Sequence, residues 1–414
     1  MKVLIFQTGE PLSIDYNNSK PMRAMNLKNS LLKMGQNEVL TISSNFFHQK
    51  KIHRVQNCEE FYQDNTILIN SPGYKKNIGI GRIVDHCILG INLKRKLKKI
   101  TFQPDVVFIG YPPIFSSYVL TNFFMKKNIP IVIDIKDQWP IIFTNVFGNS
   151  FRPILRIALS PLYFLSKKTF SNADLICSIS KEFCEWAKNY ANIPEKDSYI
   201  LPLTSKENTL SKEQDSIITS WLDTLGIFQE NSINIVFLGS FSRSFDFKVV
   251  AEVAFELIKI RPDINFLFFG DGEQKNFLTE ISKKLNNFKV FDWIDADKVD
   301  MVLKKSDLAL APYQSSDDFM MSIPNKVIDY LRLSIPILSS LHGEVEKLIS
   351  KEKVGFTYCS AEELIDFLTH IKKNNIKNMF NNSRDLYDKE FDFDRNYIKF
   401  IKVLEDIVAR KKKV

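Results

Sequence analysis

The sequence predicts an α/β protein with two doubly wound parallel sheets, each in its own domain. Short hydrophobic strands alternate with helices in the first half of the chain, and the same alternation starts again in the second half. At 414 residues the chain is also too long for one hydrophobic core of ordinary size. A polar stretch near Pro202 to Glu230 separates the halves. We therefore predict domains over 1–205 and 206–389, with a C-terminal helix over about 390–414.

The hydrophobic runs place the predicted elements in order. In the first half we expect a helix over Met22 to Met34 and strands at Lys2 to Gln7, Val39 to Ser43, Asp105 to Ile109, Ile131 to Ile135 and Leu175 to Ser178. In the second half we expect a helix over Val249 to Ile260 and strands at Ile233 to Leu238, Asn265 to Phe269, Phe288 to Phe291, Leu308 to Ala311 and Ile335 to Ser339. A last helix follows Arg395, and its basic end is expected in solvent or at lipid headgroups.

Composition excludes several classes of function. The five cysteines and five histidines have no metal-ligand or disulfide spacing. There is no P-loop and no complete G-x-G-x-x-G fingerprint, which argues against ATP hydrolysis and against a dinucleotide oxidoreductase. The basic residues are not interleaved with aromatics as in nucleic-acid modules, so no nucleic-acid partner is expected. The uncharged stretch Val106 to Met125 contains Pro112-Pro113, which favours a strand, a turn and a helix over a membrane span.

Positive charge is concentrated in the first half. Residues 1–205 hold 26 Lys and Arg against 15 Asp and Glu, a net of +11, whereas 206–414 hold 30 against 33, a net of −3. The run Lys94 to Lys99 is densely basic, and Phe151 to Lys168 combines apolar runs with basic edges. This pattern suits a helix on an anionic membrane surface, although a core helix with solvated ends fits that stretch equally well. The N-terminus lacks the pattern of a signal peptide, so we expect a cytoplasmic protein.

The segment Ser322 to Leu338 indicates a phosphate site at a helix N-terminus. Ser322 is the expected cap and Pro324 suits the first turn, which leaves the amides of Asn325 and Lys326 facing an anion. Asp329 lies one turn further along the same face, within reach of a ribose. An ordinary surface helix with an isolated acid remains the alternative.

Two turns that follow predicted strands are further candidates. In open parallel sheets, ligands bind beyond the carboxyl ends of the strands. Gly239-Ser240-Phe-Ser-Arg243 supplies a tight turn with a nearby cation, and Gly270-Asp271-Gly272 permits close backbone approach. Either could be a mere turn.

Four segments together resemble a known family. Phe237-Leu-Gly239, Phe268-Phe-Gly-Asp-Gly272, Ser306-Asp-Leu-Ala-Leu-Ala-Pro312 and Pro324-Asn-Lys-Val-Ile-Asp-Tyr-Leu331 resemble the C-terminal domain of the retaining glycosyltransferases of family four. Ala24 to Gly35 and Asp134-Ile-Lys-Asp-Gln-Trp-Pro140 are similar to the acceptor-side domain of the branch that builds bacterial surface polysaccharides. The resemblance implies the GT-B fold, in which two Rossmann-like domains face a central cleft and the C-terminal helix crosses back to the N-terminal domain.

The resemblance also implies roles for residues. Asp329 takes the place of the second acid of the family's Glu-x7-Glu motif, which binds the donor ribose, while Pro324, Asn325 and Lys326 match the segment that holds the donor phosphates. Trp293 and Ile294 match the cradle of the nucleobase. Arg243 lies near the family's diphosphate-binding basic residue. The first acid of the motif is replaced by Met321, for which Asp317 or Asp318 could substitute.

In this family the sugar is transferred with retention, and the leaving diphosphate itself can accept the acceptor's proton. Catalysis then depends on stabilising negative charge on the diphosphate, which we assign to Arg243, Lys326 and the helix amides. Asp137 either orients the acceptor hydroxyl or caps the following segment, and Gly9 and Glu10 belong to the acceptor-side loop. No metal or other cofactor is implied, since the nucleotide sugar is a substrate.

The sequence therefore favours an enzyme that transfers a sugar, most plausibly from a UDP-sugar, to a lipid-linked acceptor at the inner face of a bacterial membrane. Met321 favours instead a catalytically silent homologue that binds a nucleotide sugar or a partner transferase. A sugar-nucleotide epimerase of the same architecture is a third reading.

Overall fold

The fold is that of a computed structural model, which describes residues 1–15, 21–56, 62–77, 79–145, 152–206, 210–228, 231–315 and 317–413. Internal contacts divide the chain into two compact units. Unit 1 comprises Met1–Pro202 and Asp394–Val414, and unit 2 comprises Leu203–Phe393. The sequence predicts divisions at 205 and at about 390.

The strands of each unit form one main sheet. Unit 1 contains β1 Lys2–Phe6, β2 Glu38–Ser44, β3 Phe46–Phe47, β4 Ile52–His53, β5 Tyr62–Gln63, β6 Thr66–Ile69, β7 Val106–Tyr111, β8 Ile131–Ile135, β9 Leu175–Ser178 and β10 Ser198–Ile200. Unit 2 contains β11 Ile233–Leu238, β12 Ile264–Phe269, β13 Phe288–Phe291, β14 Leu308–Ala311, β15 Ile337–Ser339 and β16 Gly355–Thr357.

Helices connect these strands. They are α1 Arg23–Lys33, α2 Ile80–Leu97, α3 Ile114–Met125, α4 Ile141–Asn145, α5 Arg152–Ala158, α6 Ser160–Asn172, α7 Lys181–Ala191, α8 Lys212–Thr224, α9 Phe247–Ile260, α10 Lys275–Ser282, α11 Ala296–Lys304, α12 Asp317–Met320, α13 Asn325–Arg332, α14 Glu344–Glu352, α15 Ala361–His370, α16 Lys373–Leu386 and α17 Phe393–Lys412.

Both main sheets are doubly wound. The order in unit 1 is β10-β9-β8-β7-β1-β2-β6-β5, and only the β5–β6 pair is antiparallel. The order in unit 2 is β13-β12-β11-β14-β15-β16, with every pair parallel. Most residues of these strands are buried because helices cover both faces of such sheets. The predicted α/β class with two parallel sheets is confirmed.

The predicted strands are found with small shifts at their ends. The uncharged stretch forms β7 and α3, which confirms the strand, turn and helix. The last predicted strand begins at Ile337 rather than Ile335, because Ser334 has φ of 65° in the turn that ends α13 and the next two residues are irregular. No helix among the described residues is long and apolar enough to cross a membrane.

Helix α17 belongs to unit 1, as predicted. Its apolar face is buried, with the Phe400 ring 5.9 Å from Phe108 and 5.3 Å from Tyr199. The Tyr397 hydroxyl donates to the Arg23 carbonyl at 3.2 Å. The expectation of a solvated basic end is confirmed, since the side chains of Arg410 and Lys412 are exposed. Three acids that precede strands also pair with this end, and the ion pairs are Arg410–Asp197 at 3.1 Å, Lys411–Asp174 at 2.7 Å and Lys412–Asp105 at 3.1 Å.

Candidate functional site

Unit 2 contains a pocket of about 540 Å³ at the carboxyl ends of its strands, which we call the C-terminal pocket. Leu238 ends β11, Phe269 ends β12 and Tyr313 follows β14, so three neighbouring strands deliver residues to one edge of the sheet. Seven of the predicted donor-binding residues line the pocket, namely Gly239, Ser240, Trp293, Ile294, Asn325, Lys326 and Asp329.

The first turn of α13 forms one wall of this pocket. The helix begins at Asn325, and Pro324 occupies the N-cap position with φ of −64° and ψ of 152°. The expectation that Ser322 caps the helix is therefore wrong, because the proline fixes the start two residues later and offers no side-chain acceptor. The amides of Val327 and Ile328 donate to the Pro324 carbonyl. The amides of Asn325 and Lys326 precede the helical ladder, and the helix dipole favours an anion beside them.

Lys326 forms the base of the C-terminal pocket. Its ammonium donates a hydrogen bond to the Leu238 carbonyl and lies 4.2 Å from the centre of the Phe237 ring and 5.4 Å from that of Phe245. Burial beside these rings lowers the pKa of Lys326 to about 8, although the negative charge of Asp329 acts to raise it. A diphosphate in the pocket would restore a full charge to this amine.

Gly239 is favoured by its backbone conformation. Its φ is +131°, which residues with side chains rarely adopt. An added Cβ would also lie 2.9 Å from the Lys326 ammonium, which is the flexible end of its side chain and would have to shift.

The turn Gly270-Asp271-Gly272 supports this loop and does not line the pocket. A Cβ at Gly270 would lie 1.9 Å from the Gly239 carbonyl oxygen, and one at Gly272 would lie 2.9 Å from the Phe241 amide nitrogen. The Asp271 carbonyl accepts from the Phe241 amide at 2.8 Å. The two glycines thus permit two turns to pack backbone to backbone.

Two further predicted donor-side residues lie outside the pocket lining. Arg243 is exposed and its guanidinium pairs with Glu273 at 2.7 Å. Pro324 is buried behind the helix start. Met321 is half-buried at the position of the missing acid, and the side chains of Asp317 and Asp318 lie outside the described part of the structure.

Unit 1 contains a second pocket, of about 180 Å³, which we call the N-terminal pocket. It brings together the three predicted acceptor-side residues, Gly9, Glu10 and Asp137. Its other lining residues are Thr8, Met22, Ser44, Phe46, His48, Tyr74, Arg82, Asp85, His86, Leu89, Pro112 and Lys136. Gly9 has φ of +88° and open space around it, so the loop after β1 presents its backbone to the pocket.

Glu10 is fixed by its partners. Its carboxylate accepts the Ala24 amide at the start of α1, at 3.0 Å, and pairs with Lys136. Lys136 is not among the predicted site residues, although it belongs to the same Asp-Ile-Lys-Asp-Gln-Trp-Pro segment as Asp137 and the sequence therefore contains a signal for it. Arg82, His48 and His86 carried no such signal, because they reach the pocket from α2 and from the β3–β4 hairpin.

Among the described residues, no group of three His, Cys, Asp or Glu side chains is placed to hold a metal ion. Both pockets instead offer amides, cations, carboxylates and aromatic rings, which is the chemistry for binding phosphates and sugar hydroxyls.

Comparison with known proteins agrees with this geometry. Residues 232–374 match the family described as Glycosyl transferases group 1, and this range contains the whole C-terminal pocket. The UDP-glycosyltransferase TURAN of Arabidopsis thaliana is 28% identical over 111 residues, which are 26% of this chain and 23% of that protein. The match thus spans about a quarter of that relative's length.

Two solved structures share the fold over nearly the whole chain. Anabaena Alr3699/HepE, solved in complex with UDP, has a TM-score of 0.63 at 12% identity and covers 98% of this chain and 99% of its own. WaaG, a glycosyltransferase involved in lipopolysaccharide biosynthesis, has a TM-score of 0.62 at 14% identity with the same coverage. At these identities the likeness shows the fold alone, and the fold is GT-B as predicted.

Proposed function

We propose that the chain is a glycosyltransferase that moves a hexosyl or N-acetylhexosaminyl group from a UDP-sugar, with retention, to a lipid-linked or saccharide acceptor in bacterial capsule, O-antigen or exopolysaccharide synthesis. One observation carries the proposal. A helix N-terminus, a buried lysine and a carboxylate one turn further on share a pocket at the carboxyl ends of parallel strands, inside the range that matches the glycosyltransferase family.

The C-terminal pocket has a complementary group for each part of such a donor. The diphosphate fits the amides of Asn325 and Lys326 and the Lys326 ammonium. The ribose hydroxyls fit Asp329, and the base fits the side chains of Trp293 and Ile294. Trp293 is 60% exposed, so a stacked base would cover apolar surface that now faces water.

Transfer with retention needs no dedicated base on the donor side, because the leaving diphosphate can itself accept the acceptor's proton. As the sugar leaves, negative charge grows on the diphosphate, and Lys326 with the helix amides is positioned to stabilise it. Arg243 would join them only after leaving Glu273. Asp137, in the N-terminal pocket, would orient the acceptor hydroxyl. In this proposal no metal or other cofactor takes part, and the nucleotide sugar is a substrate.

The test is a thermal-shift titration with UDP, compared with uridine. We expect UDP to raise the unfolding temperature and uridine to do far less, because the diphosphate supplies most of the contacts. Lys326→Gln should remove the UDP effect, while Lys305→Gln, an exposed lysine of the same unit, should keep it. If no nucleoside diphosphate stabilises the chain, the proposal is wrong.

A silent homologue that binds the donor without turnover is the second candidate, and Met321 in place of the motif acid favours it. Release of UDP from a UDP-sugar distinguishes the two readings. Slow hydrolysis in the absence of an acceptor supports an enzyme, whereas tight donor binding with no UDP release over hours supports a scaffold.

We further propose that unit 1 attaches reversibly to the inner face of the bacterial plasma membrane. Ile154, Ile157 and Phe164, on α5 and α6, are 65%, 75% and 57% exposed. Leu155, Leu159 and Leu162 are half-buried, and Phe151 lies outside the described residues. Helices α2 and α6 both pack against α3, so the basic run Lys94 to Lys99 lies in the same helical layer as the apolar patch.

Vesicle co-sedimentation tests this attachment. We expect binding to anionic vesicles, little to neutral ones, and weakening as salt rises. Replacing Ile154, Ile157 and Phe164 by serine should reduce binding. The matched control replaces Ile217, Ile260 and Phe255, which are 62%, 55% and 54% exposed in unit 2, and should leave it unchanged. Equal binding to both kinds of vesicle at low salt would contradict the proposal and favour a soluble acceptor.

A further inference from the structure

The N-terminal pocket contains an arginine whose hydrogen-bonding capacity is not used up. The Arg82 guanidinium carbon lies 4.6 Å from the centre of the Trp139 ring and 5.4 Å from that of Tyr74, and one terminal nitrogen donates to the Asn77 carbonyl at 2.8 Å. Its Nε is buried, and within the described ranges it has no acceptor. A buried guanidinium N–H without an acceptor is costly, and a ligand oxygen would satisfy it.

His86 provides a second unused group in the same wall. It lines the pocket, is only 7% exposed, and stacks on Trp139 with ring centres 5.1 Å apart. Its Nδ1 is buried and makes no hydrogen bond to the part of the chain that the structure describes. Burial and the neighbouring Arg82 lower the pKa of His86 to about 3, so the ring is neutral and can donate to an oxygen.

Lys51 lies at the rim of the N-terminal pocket, against two of the residues that line it. The Lys51 ammonium lies 3.0 Å from His48 Nδ1 and 4.6 Å from the centre of the Tyr74 ring. Burial and Arg82 lower the pKa of Lys51, and burial with Arg82 and Lys51 lowers the pKa of His48 to about 4. Burial is the largest cause of both shifts and the charge of Arg82 adds to it, so an anion beside Arg82 would offset the repulsion between Arg82 and Lys51.

Two of the carboxylates in the lining are already engaged by protein donors. Glu10 pairs with Lys136 and accepts the Ala24 amide. Asp85 accepts the Gly73 amide at 2.7 Å. Asp85 also attracts Arg82 electrostatically, but Arg82 Nε makes no hydrogen bond to it or to any other described residue.

We propose that the N-terminal pocket binds an oxyanion through Arg82, with His86 and Lys51 completing the contacts. Resting on the proposed function, this assigns to the acceptor an acidic group next to the hydroxyl that receives the sugar. The shared chemistry is an oxyanion, which is supplied either by a phosphate or by a sugar carboxylate. An oxyanion is the proposed ligand because the planar guanidinium of Arg82, with its unused Nε–H, matches a pair of oxygens.

Calorimetry on the full chain, with UDP present at saturation to occupy the C-terminal pocket, tests the inference. Pyrophosphate probes the phosphate source, glucuronate the carboxylate source, and glucose is the neutral control. We expect one anion to bind and glucose to bind at least tenfold more weakly. Arg82→Gln should weaken that anion at least tenfold. The matched control Lys126→Gln, an exposed basic residue of the same unit, should leave it unchanged.

Lys51→Gln is the second variant, because Lys51 lies at the rim and its loss should spare the fold. We expect it to weaken the same anion about threefold. Equal anion affinity in Arg82→Gln and the unchanged chain, or no anion binding at all, would overturn the inference. The UDP thermal shift in the same samples reports on the proposed function separately. In the Lys326→Gln background the shift should vanish while anion binding at Arg82 persists.

Discussion

At the scale of single residues, Lys326 under the proposed function serves binding at a cost to folding. Its amine is buried against Phe237 and its pKa falls to about 8, so the charged form is less favourable in the folded protein than in the unfolded chain. The shift amounts to about 3 kcal/mol at pH 7, which is an upper value because the side chain is partly exposed. A bound diphosphate would pair with the ammonium and offset this penalty. A buried charge that a ligand stabilises is typical of functional sites.

The stability of unit 2 should therefore rise with pH above 8. Between pH 8 and the unfolded pKa near 10.5, the unfolded lysine holds a proton that the folded one has lost, so the free energy of unfolding increases there. Thermal unfolding of the unchanged chain and of Lys326→Met, compared at pH 7 and pH 9, measures the effect. From pH 7 to pH 9, we expect the free energy of unfolding of the unchanged chain to rise by about 1 kcal/mol relative to that of Lys326→Met. Parallel pH profiles would show that the amine is not perturbed.

The same amine gives UDP binding the opposite dependence on pH. Below pH 8 the ammonium is present before binding, whereas above pH 8 a proton must be taken up. We expect the dissociation constant for UDP to rise about tenfold between pH 7 and pH 9. Calorimetry in two buffers of different ionisation enthalpy should detect the proton uptake at pH 9. Lys326→Arg keeps its charge and should show a flat profile, so an equally steep profile in that variant would assign the effect elsewhere.

Asp329→Ala should weaken UDP-sugar binding far more than it weakens folding. The half-buried carboxylate on α13 contributes little to the helix, but hydrogen bonds to both ribose hydroxyls are worth about 2–3 kcal/mol. We expect a loss of affinity of about thirtyfold or more with a change of unfolding temperature of about 2 °C or less. Calorimetry with UDP and with pyrophosphate separates the contributions, because pyrophosphate has no ribose and should bind both proteins equally. Unchanged UDP affinity would remove Asp329 from the site.

At the scale of elements, the start of α13 shows how a small error in a helix boundary matters for chemistry. The pattern Ser322-Ile-Pro324 predicts a cap at the serine, whereas the structure begins the helix after the proline. Proline fixes φ and cannot donate, so its extended conformation ends the loop and its carbonyl starts the ladder. The shift makes the amides of Asn325 and Lys326 the first two of the helix, which strengthens the predicted phosphate site.

Helix α17 is expected to stabilise unit 1 without affecting the C-terminal pocket. Phe400 is fully buried against Phe108 and Tyr199, whereas Ile398 on the same helix is 43% exposed. Phe400→Ala should cost about 3–5 kcal/mol of unfolding free energy, and Ile398→Ala about 1 kcal/mol or less. Denaturant unfolding measures both, and the UDP thermal shift should persist in each. A loss of UDP binding in Phe400→Ala would contradict the assignment of the helix to unit 1 alone.

At the scale of the whole molecule, the sequence predicts the two sheets and the C-terminal pocket well because both depend on local patterns. Alternating apolar strands and helices indicate the sheets, and strand ends followed by glycine indicate the pocket. The N-terminal pocket is different, since Arg82 and His86 reach it from α2 and only the folded chain brings them beside Asp137. The pairing of Arg243 with Glu273 also depends on how two turns pack. The sequence does not predict β6, β10 and β16, because strands of only three or four residues often have no distinct hydrophobic pattern.

The chain leaves unit 1 after Pro202 and returns to it at Asp394, so unit 2 is one uninterrupted stretch inside a split unit 1. Synthesis proceeds from the N-terminus, and domains fold as units while the chain emerges. All of unit 2 is therefore made before the helix that covers Phe108 and Tyr199. A nascent chain can complete the C-terminal pocket before Phe400 covers the apolar surface of unit 1. During that interval unit 1 exposes an apolar patch, and a chain interrupted within α17 would have a complete unit 2 and an uncovered unit 1.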